Sequence, residues 1–182
     1  LSEYDQMMVA PPDGRFLYVS SGQAQTLAAF AAGSGITPVM SILKTALMNH
    51  PENRFHLVYG NKTPKDTMFY QELKDLEKTF NGRLSIQWVF SRANVEGSLF
   101  GRVEASVIKR TLKHLENTAD KFYLCGPESM IETASDILLS NGVEKDAVLF
   151  ELFSASTKTT AIEGKAEGVS LEITYDELTH KI

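Results

Sequence analysis

The stretch LAAFAAGSGITPVM, residues 27–40, decides the fold because it joins a buried strand to a helix through a glycine turn. Its apolar half has no polar alternation, which predicts a strand that is buried on both faces. Gly33-Ser34-Gly35 predicts a sharp turn where the backbone can approach another molecule closely. Thr37-Pro38 predicts the start of a helix, with the proline at the first helical position, where its missing N–H has no intrahelical partner.

Strand, turn and helix start together predict an anion site, because free amides and the positive end of the helix dipole converge there. Pro38 stands where the common dinucleotide fingerprint has its third glycine. A Gly-x-Gly pair alone is weak evidence, so a tight strand-to-helix turn that binds nothing stays open as an alternative.

The bulk composition is that of an ordinary globular domain, with 43% hydrophobic and 23% charged residues among 182. A net charge of −5 argues against nucleic acid as a partner. No apolar run reaches the roughly 20 residues of a membrane span. The single cysteine, Cys125, excludes an intrachain disulfide and any multi-cysteine zinc or iron–sulfur site within this chain. We therefore expect no metal site here and a reducing, cytoplasmic location.

Apolar strands and amphipathic helices alternate along the chain. The pattern predicts five strands, at 27–32, 55–59, 84–90, 122–125 and 148–153, and four helices, at 38–50, 70–80, 103–115 and 128–140. The segment between Gly97 and Gly101 is predicted as an open loop. Such alternation is typical of a doubly wound α/β fold, a five-stranded parallel sheet with helices on both faces.

Four loops of the predicted sheet carry glycines, cations and small polar side chains. They are Gly33–Thr37, Gly60–Lys62, Ser91-Arg92 and Cys125-Gly126-Pro127, and each follows a predicted strand. Ligands of such sheets bind beyond the carboxyl ends of the strands, at the topological switch point. The sequence therefore predicts one binding site to which all four loops contribute.

The two ends of the chain differ in composition from its centre. Arg15–Val19 is predicted as a single strand, and one strand cannot form a domain. Residues 154–168 have the composition of a linker. Residues 169–174 alternate again, like the first strand of another domain. We therefore expect the chain to be part of a longer protein.

The motifs Gly33–Pro38, Ser91-Arg92, Cys125–Ile131 and Glu151–Phe153 together resemble the pyridine-nucleotide domain of the ferredoxin–NADP reductase family, over residues 16–153. Their order and spacing are most similar to the multidomain reductases of bacterial oxygenases, among them those of phenylacetyl-CoA oxygenases. The resemblance implies a domain division into the tail of a flavin-binding barrel plus linker (1–20), an NAD(P)-binding domain (21–153), a linker (154–168) and the start of a truncated ferredoxin domain (169–182).

The resemblance also implies the chemistry. NAD(P)H would deliver hydride to FAD, which would pass single electrons to a [2Fe–2S] centre and on to an oxygenase or another acceptor. FAD and the cluster would belong to flavin and ferredoxin domains of the same chain, outside this piece. We expect the piece alone to be inactive, because hydride transfer needs the reacting atoms about 3–3.5 Å apart. Alternatives are a non-redox nucleotide sensor, or a family reductase with a haem or a separate ferredoxin as acceptor.

Residue roles carried over from the family fall into two groups. Thr37, Cys125 and Glu151 would lie at the nicotinamide and flavin, as the catalytic positions. The other implied cofactor contacts are Gly33, Ser34, Gly35, Ile36, Pro38, Asn61, Lys62, Ser91, Arg92, Gly126, Pro127, Glu128, Met130 and Phe153. Plainer interpretations stay open: the Thr37 hydroxyl caps the helix, Cys125 is a small buried hydrophobe and Phe153 belongs to the strand core.

Arg92 is the residue on which the coenzyme prediction depends. The family places its 2′-phosphate contact at Ser91-Arg92, and a guanidinium matches phosphate geometry with a planar fork of donors. Lys62 and Lys65 could add positive charge, and no acidic residue directly follows the second strand, since Asp66 lies further on. The sequence therefore predicts NADP rather than NAD, with a solvated loop at Ser91-Arg92 as the alternative.

Overall fold

The computed structural model describes residues 14–115 and 118–153, together with the backbone of 172–175 and 178–181. Six strands and four helices occupy the first two ranges. In chain order they are β1 (Thr26–Ala32), α1 (Ile36–Asn49), β2 (Arg54–Asn61), α2 (Tyr70–Thr79), β3 (Leu84–Phe90), β4 (Leu99–Phe100), α3 (Ala105–His114), β5 (Lys121–Cys125), α4 (Glu128–Ser140) and β6 (Val148–Glu151). The last two strands, β7 (Glu172–Tyr175) and β8 (Leu178–Lys181), pair antiparallel in a sheet of their own.

The main sheet is parallel throughout, in the order β4-β3-β2-β1-β5-β6. From β1 the chain moves outward through β2, β3 and β4, and it then returns to the other side of β1 to form β5 and β6. The direction of winding therefore reverses between β1 and β5, which confirms the predicted doubly wound α/β fold. Strand ends on both sides of this reversal meet at one edge of the sheet, where ligands of such folds bind.

Two apolar layers cover the sheet, and β1 contributes to both. Leu27, Ala29 and Ala31 pack with α1 and α2 on one face, while Ala28 and Phe30 pack with α3 and α4 on the other. All five have an exposed fraction of 1% or less. The alternation of faces along a strand explains why an uninterrupted apolar run is needed at the centre of the sheet.

The sixth strand of the sheet corrects the predicted count of five. Leu99 and Phe100 extend the sheet beyond β3, opposite Val89 and Phe90, inside the segment predicted as an open loop. A two-residue strand has no measurable period, and the glycines on either side of it are typical of a loop. The sequence pattern therefore could not distinguish this edge strand from its surroundings.

The segment Arg15–Val19 is not a strand, contrary to the prediction. It lies across the face of the sheet that α1 covers, where Phe16 packs edge-to-face on Tyr123 with ring centroids 5.5 Å apart. The Tyr18 hydroxyl accepts a hydrogen bond from the buried Asn53 side chain, 3.0 Å away. Phe16 and Tyr18 point inward, as alternate residues of a strand would, but the segment packs against the sheet instead of joining one.

Helix α1 begins at Ile36, two residues before the predicted start. Pro38 is therefore the third helical residue, a position that still requires no backbone donor within the helix. The predicted linker at 154–168 lies outside the described residues, and β7 falls partly within the predicted strand at 169–174. The domain boundaries stay predictions. No helix of the described residues is both long and apolar enough to cross a membrane.

Candidate functional site

A cavity of about 540 Å³ lies at the carboxyl edge of the sheet. Its walls come from the ends of β1, β2, β3 and β4 and from the first turns of α4. The lining residues are Ala32, Gly33, Gly60, Asn61, Lys62, Asp66, Ser91, Arg92, Gly101, Arg102, Val103, Glu104, Pro127, Ser129, Met130 and Thr133. Its volume is within the range of small-molecule and cofactor pockets.

Gly60 of the predicted Gly60–Lys62 loop lines this cavity, and so do seven of the predicted cofactor contacts. They are Gly33, Asn61, Lys62, Ser91, Arg92, Pro127 and Met130. The other predicted residues lie outside its lining, namely Ser34, Gly35, Ile36, Thr37, Pro38, Cys125, Gly126, Glu128, Glu151 and Phe153. The structure thus brings together the 2′-phosphate candidates and the start of α4, while most of the predicted anion-binding turn, Gly33–Thr37, lies outside the cavity lining.

Arg102 and Glu104 are the charged lining residues that the sequence analysis missed. Both follow β4, the strand that was predicted as a loop. A basic residue directly after Gly101 was the available signal, but it indicates a site only once β4 is known to end at the same edge as β3. Asp66 was noted only as too distant to act as a ribose carboxylate, and it also lines the cavity.

The positive side chains of the cavity come from three neighbouring strand ends. The Arg92 amide donates to the Lys62 carbonyl oxygen at 2.9 Å, which places these two residues side by side beyond β2 and β3. Arg102 follows the adjacent strand, β4. The ion pairs found among the described residues are Lys44–Glu72 and Lys78–Asp75, so none of the three cavity cations is neutralised by one.

The lining also carries two acidic side chains, Asp66 and Glu104, which leave it a formal net charge of +1. The Asp66 carboxylate accepts a hydrogen bond from the Thr63 hydroxyl at 2.8 Å. Glu104 is exposed directly before α3. With three cations and two carboxylates in its lining, the cavity offers charged donors to an anionic group and carboxylate acceptors to hydroxyl groups.

Two glycines allow the walls of the cavity to approach one another. A Cβ atom on Gly60 would lie 2.8 Å from Val103 Cγ2. A Cβ atom on Gly126 would lie 2.7 Å from Met130 Cε and 3.2 Å from the Ala32 backbone nitrogen. Larger residues at these two positions would push α4 and the β4–α3 connection away from the strand ends.

The predicted anion-binding turn is a 3-10 turn at Gly33–Gly35 that leads directly into α1. Gly33 has a φ of +54°, a conformation that glycine adopts at little cost. The exposed Thr37 hydroxyl donates to the Ser34 carbonyl oxygen at 3.0 Å, so it does not cap a helix amide. Ser34 and Thr37 therefore present polar groups to solvent at the positive end of α1.

Cys125 lies at the carboxyl end of β5, paired in register with Glu151 of β6. Its side chain is fully buried in the apolar layer on the α1 side of the sheet. Burial and, to a smaller extent, the Glu151 carboxylate raise the pKa of this thiol to about 11. Cys125 is thus a neutral thiol near pH 7, which matches the small-hydrophobe interpretation; its proximity to a nicotinamide stays a prediction.

Phe153 is 54% exposed and follows the end of β6. It therefore does not belong to the strand core, which was the plainer interpretation of this residue. Glu151 pairs with Cys125 of β5 at the carboxyl end of β6, at the same edge of the sheet as the cavity, and Phe153 follows two residues later. An exposed aromatic ring in this place is free to cover a ligand or to contact another domain.

The model of the oxidoreductase NAD-binding domain family matches residues 30–136 of the chain. The chain is 34% identical over 150 residues to one component of 1,2-phenylacetyl-CoA epoxidase from Escherichia coli (strain K12), and the match covers 80% of this chain and 42% of that protein. It is 30% identical over 159 residues to the reductase component of propane 2-monooxygenase from Mycolicibacterium smegmatis (83% and 44% covered).

Among solved structures, the chain is similar to the flavohem-like FAD/NAD binding domain of nitric oxide dioxygenase from Vibrio cholerae. The sequence identity is 25%, the TM-score is 0.62, and the match covers 78% of this chain and 56% of that one. The chain spans less than half the length of the two curated relatives.

Proposed function

The chain belongs to the oxidoreductase NAD-binding domain family, the nucleotide-binding part of ferredoxin–NADP reductases, and we propose that it binds the pyridine nucleotide of a flavin-dependent reductase. The observation that carries this proposal is the cavity at the switch point, where Lys62, Arg92 and Arg102 converge without ion-pair partners among the described residues. A bound NAD(P)H supplies two electrons and a proton as hydride. Family membership favours this redox role over the nucleotide-sensor alternative.

The cavity supports binding of the adenosine end of the nucleotide. Arg92 and Lys62 stand side by side, held by backbone hydrogen bonds that extend the β2–β3 pairing. A 2′-phosphate brings a charge of about −1.5 to −2 and strong acceptor oxygens, which suit this pair of cations. We therefore propose that NADPH is preferred over NADH, with Arg92 as the main contact and Ser91 beside it.

The other end of the nucleotide would extend from the cavity, past Gly33, toward the ends of β5 and β6. Thr37, Cys125 and Glu151 are the residues proposed to lie near the nicotinamide. The buried Cys125 thiol is neutral, so it would place no charge next to the ring, and the exposed Phe153 ring lies at the same edge. These roles depend on the flavin domain, which we propose precedes this piece in the full protein.

The electron acceptor belongs to the whole protein. The relatives include a component of an epoxidase and the reductase component of a monooxygenase. We propose by analogy that the full protein passes electrons from FAD to an oxygenase, through a [2Fe–2S] ferredoxin domain after residue 168. That the isolated chain lacks NADPH oxidation activity stays a prediction.

Arg92→Ala tests the coenzyme proposal. Loss of a charge-assisted hydrogen bond to phosphate costs about 1.5–3 kcal/mol, so the Kd for NADP⁺ should rise roughly 10- to 150-fold while the Kd for NAD⁺ changes little. Calorimetric titration of the chain with each nucleotide measures both constants. Arg110→Ala, an exposed cation of α3 outside the cavity lining, is the matched control and should change neither.

Three results would contradict the proposal. An equal loss for both nucleotides would assign Arg92 to the diphosphate or to the fold. Unchanged binding of both nucleotides would mean that Arg92 belongs to a solvated loop that does not contact the ligand. If the unmodified chain binds neither nucleotide, the proposed function itself is wrong.

A further inference from the structure

The hydroxyl group of Tyr59 contacts the Gly33–Gly35 turn from inside the protein. Tyr59 lies on β2 with no exposed surface, in register with Ala31 of β1. Its hydroxyl donates a hydrogen bond to the Gly33 carbonyl oxygen at 2.9 Å. Burial raises the pKa of the Tyr59 phenol to about 12, so this group remains a hydrogen-bond donor throughout the physiological pH range.

This hydrogen bond controls the orientation of one peptide group. The Gly33 carbonyl oxygen also accepts the Ile36 N–H, so two donors direct it toward the inside of the turn. In a trans peptide the carbonyl oxygen and the next N–H point in opposite directions, and the described chain contains no cis peptide. The Ser34 N–H is therefore directed away from the Tyr59 ring.

Gly33 makes such a restraint necessary. Because Gly33 has a φ of +54° and no Cβ atom, no side chain of its own restrains the Gly33–Ser34 peptide group, and nothing beyond its chain neighbours lies within 4 Å of the position that a Cβ would occupy. A donor that is already oriented binds an anion more tightly than one that must first be ordered. The tyrosine thus adds, from β2, a second restraint to the one that the Ile36 N–H supplies within the turn.

We propose that the Tyr59 hydroxyl is a positioning group for the diphosphate of the dinucleotide. It orients the Gly33–Ser34 peptide so that the Ser34 N–H faces the bound diphosphate at the start of α1. This inference rests on the proposed function, and it adds to it a residue that makes no contact with the ligand.

Tyr123 provides a matched control within the same molecule. It lies on β5, contributes to the same apolar layer as Tyr59 and is 1% exposed, and burial likewise raises its pKa to about 12. Its hydroxyl donates to the Leu17 carbonyl oxygen at 3.4 Å, far from the glycine turn in the chain. Tyr123→Phe therefore removes the same buried atom from the same face without changing a contact of the turn.

The experiment compares two ligands across the unmodified chain, Tyr59→Phe and Tyr123→Phe. NADP⁺ contains a diphosphate, whereas adenosine 2′-monophosphate offers only the 2′-phosphate to the cavity cations. Tyr59→Phe should raise the Kd for NADP⁺ about 3- to 10-fold, the effect of one neutral hydrogen bond, and leave the Kd for adenosine 2′-monophosphate unchanged. Tyr123→Phe should leave both constants unchanged.

One further measurement separates positioning from general stability. The ¹⁵N amide resonance of Ser34 should shift in ligand-free Tyr59→Phe and stay in place in Tyr123→Phe. Equal weakening of both ligands, or unchanged NADP⁺ binding in Tyr59→Phe, would overturn the inference while leaving the proposed function intact. Absence of NADP⁺ binding by the unmodified chain would overturn the proposed function first.

Discussion

Two strand-to-helix turns meet at the switch point, and they serve the site in different ways. The β1–α1 turn at Gly33–Gly35 carries the fingerprint-like glycines, yet only Gly33 of this turn lines the cavity. The β5–α4 turn, at Gly126-Pro127, carries a weaker sequence signal, yet α4 contributes a whole wall of the cavity. The turn with the stronger sequence motif is therefore not the turn that contributes more of the cavity lining.

The two turns also differ in how they pack against their neighbours. A Cβ atom on Gly35 would lie 2.1 Å from the Cys125 carbonyl oxygen, which is backbone and cannot move alone. The nearest neighbour of a Cβ atom on Gly126 would be Met130 Cε, the flexible end of a side chain. Gly35 thus joins the two turns rigidly, whereas the space around Gly126 can adjust.

Of the three glycine substitutions, Gly35→Ala should lower the free energy of unfolding the most. Its φ of −60° suits alanine, so the cost comes from overlap with the Cys125 carbonyl group. We expect a loss of about 3 kcal/mol or more in the free energy of unfolding, at or beyond the upper end for overpacking, measured by urea denaturation. Ser34→Ala, an exposed change in the same turn, should stay within about 0.5 kcal/mol. Similar values for both variants would show that the two turns are not rigidly joined.

Gly126→Ala should be destabilising by about 2 kcal/mol, because Met130 Cε can move while Ala32 must shift by tenths of an ångström. The same substitution in a Met130→Ala background tests this cause. Removing the methionine should lower the cost of Gly126→Ala, with a coupling of about 1 kcal/mol in a double-mutant cycle followed by thermal unfolding. If the two substitutions are additive, Met130 is not the group that limits the space.

Gly33→Ala should have the smallest effect, about 1 kcal/mol, because its cost comes only from the left-handed conformation and not from a contact. Asparagine tolerates this conformation better than alanine. Gly33→Asn should therefore be more stable than Gly33→Ala in the same unfolding assay. The reverse order would indicate that steric contact, and not φ, restricts this position.

Most of the main sheet could be predicted from the sequence because its strands are buried apolar runs bounded by glycine, proline or polar turns. The segments that could not be predicted lack such a signal. Leu99–Phe100 is too short to show a period, and Arg15–Val19 alternates like a strand but packs on the sheet through Phe16 and Tyr18. Arg102 was missed for the first of these reasons, since its place in the site depends on β4.

The sequence by itself determined the alternation of strands and helices, and with it the gathering of the strand-end loops at one edge. This follows because parallel strands all run in the same direction, so their carboxyl ends meet at one edge of the sheet. Only the tertiary structure decided which helix start borders the cavity. It also decided that Gly35 packs against the Cys125 carbonyl group and that the Tyr59 hydroxyl donates a hydrogen bond to the Gly33 carbonyl oxygen. These contacts join residues far apart in the chain, and close packing rather than any local pattern sets their distances.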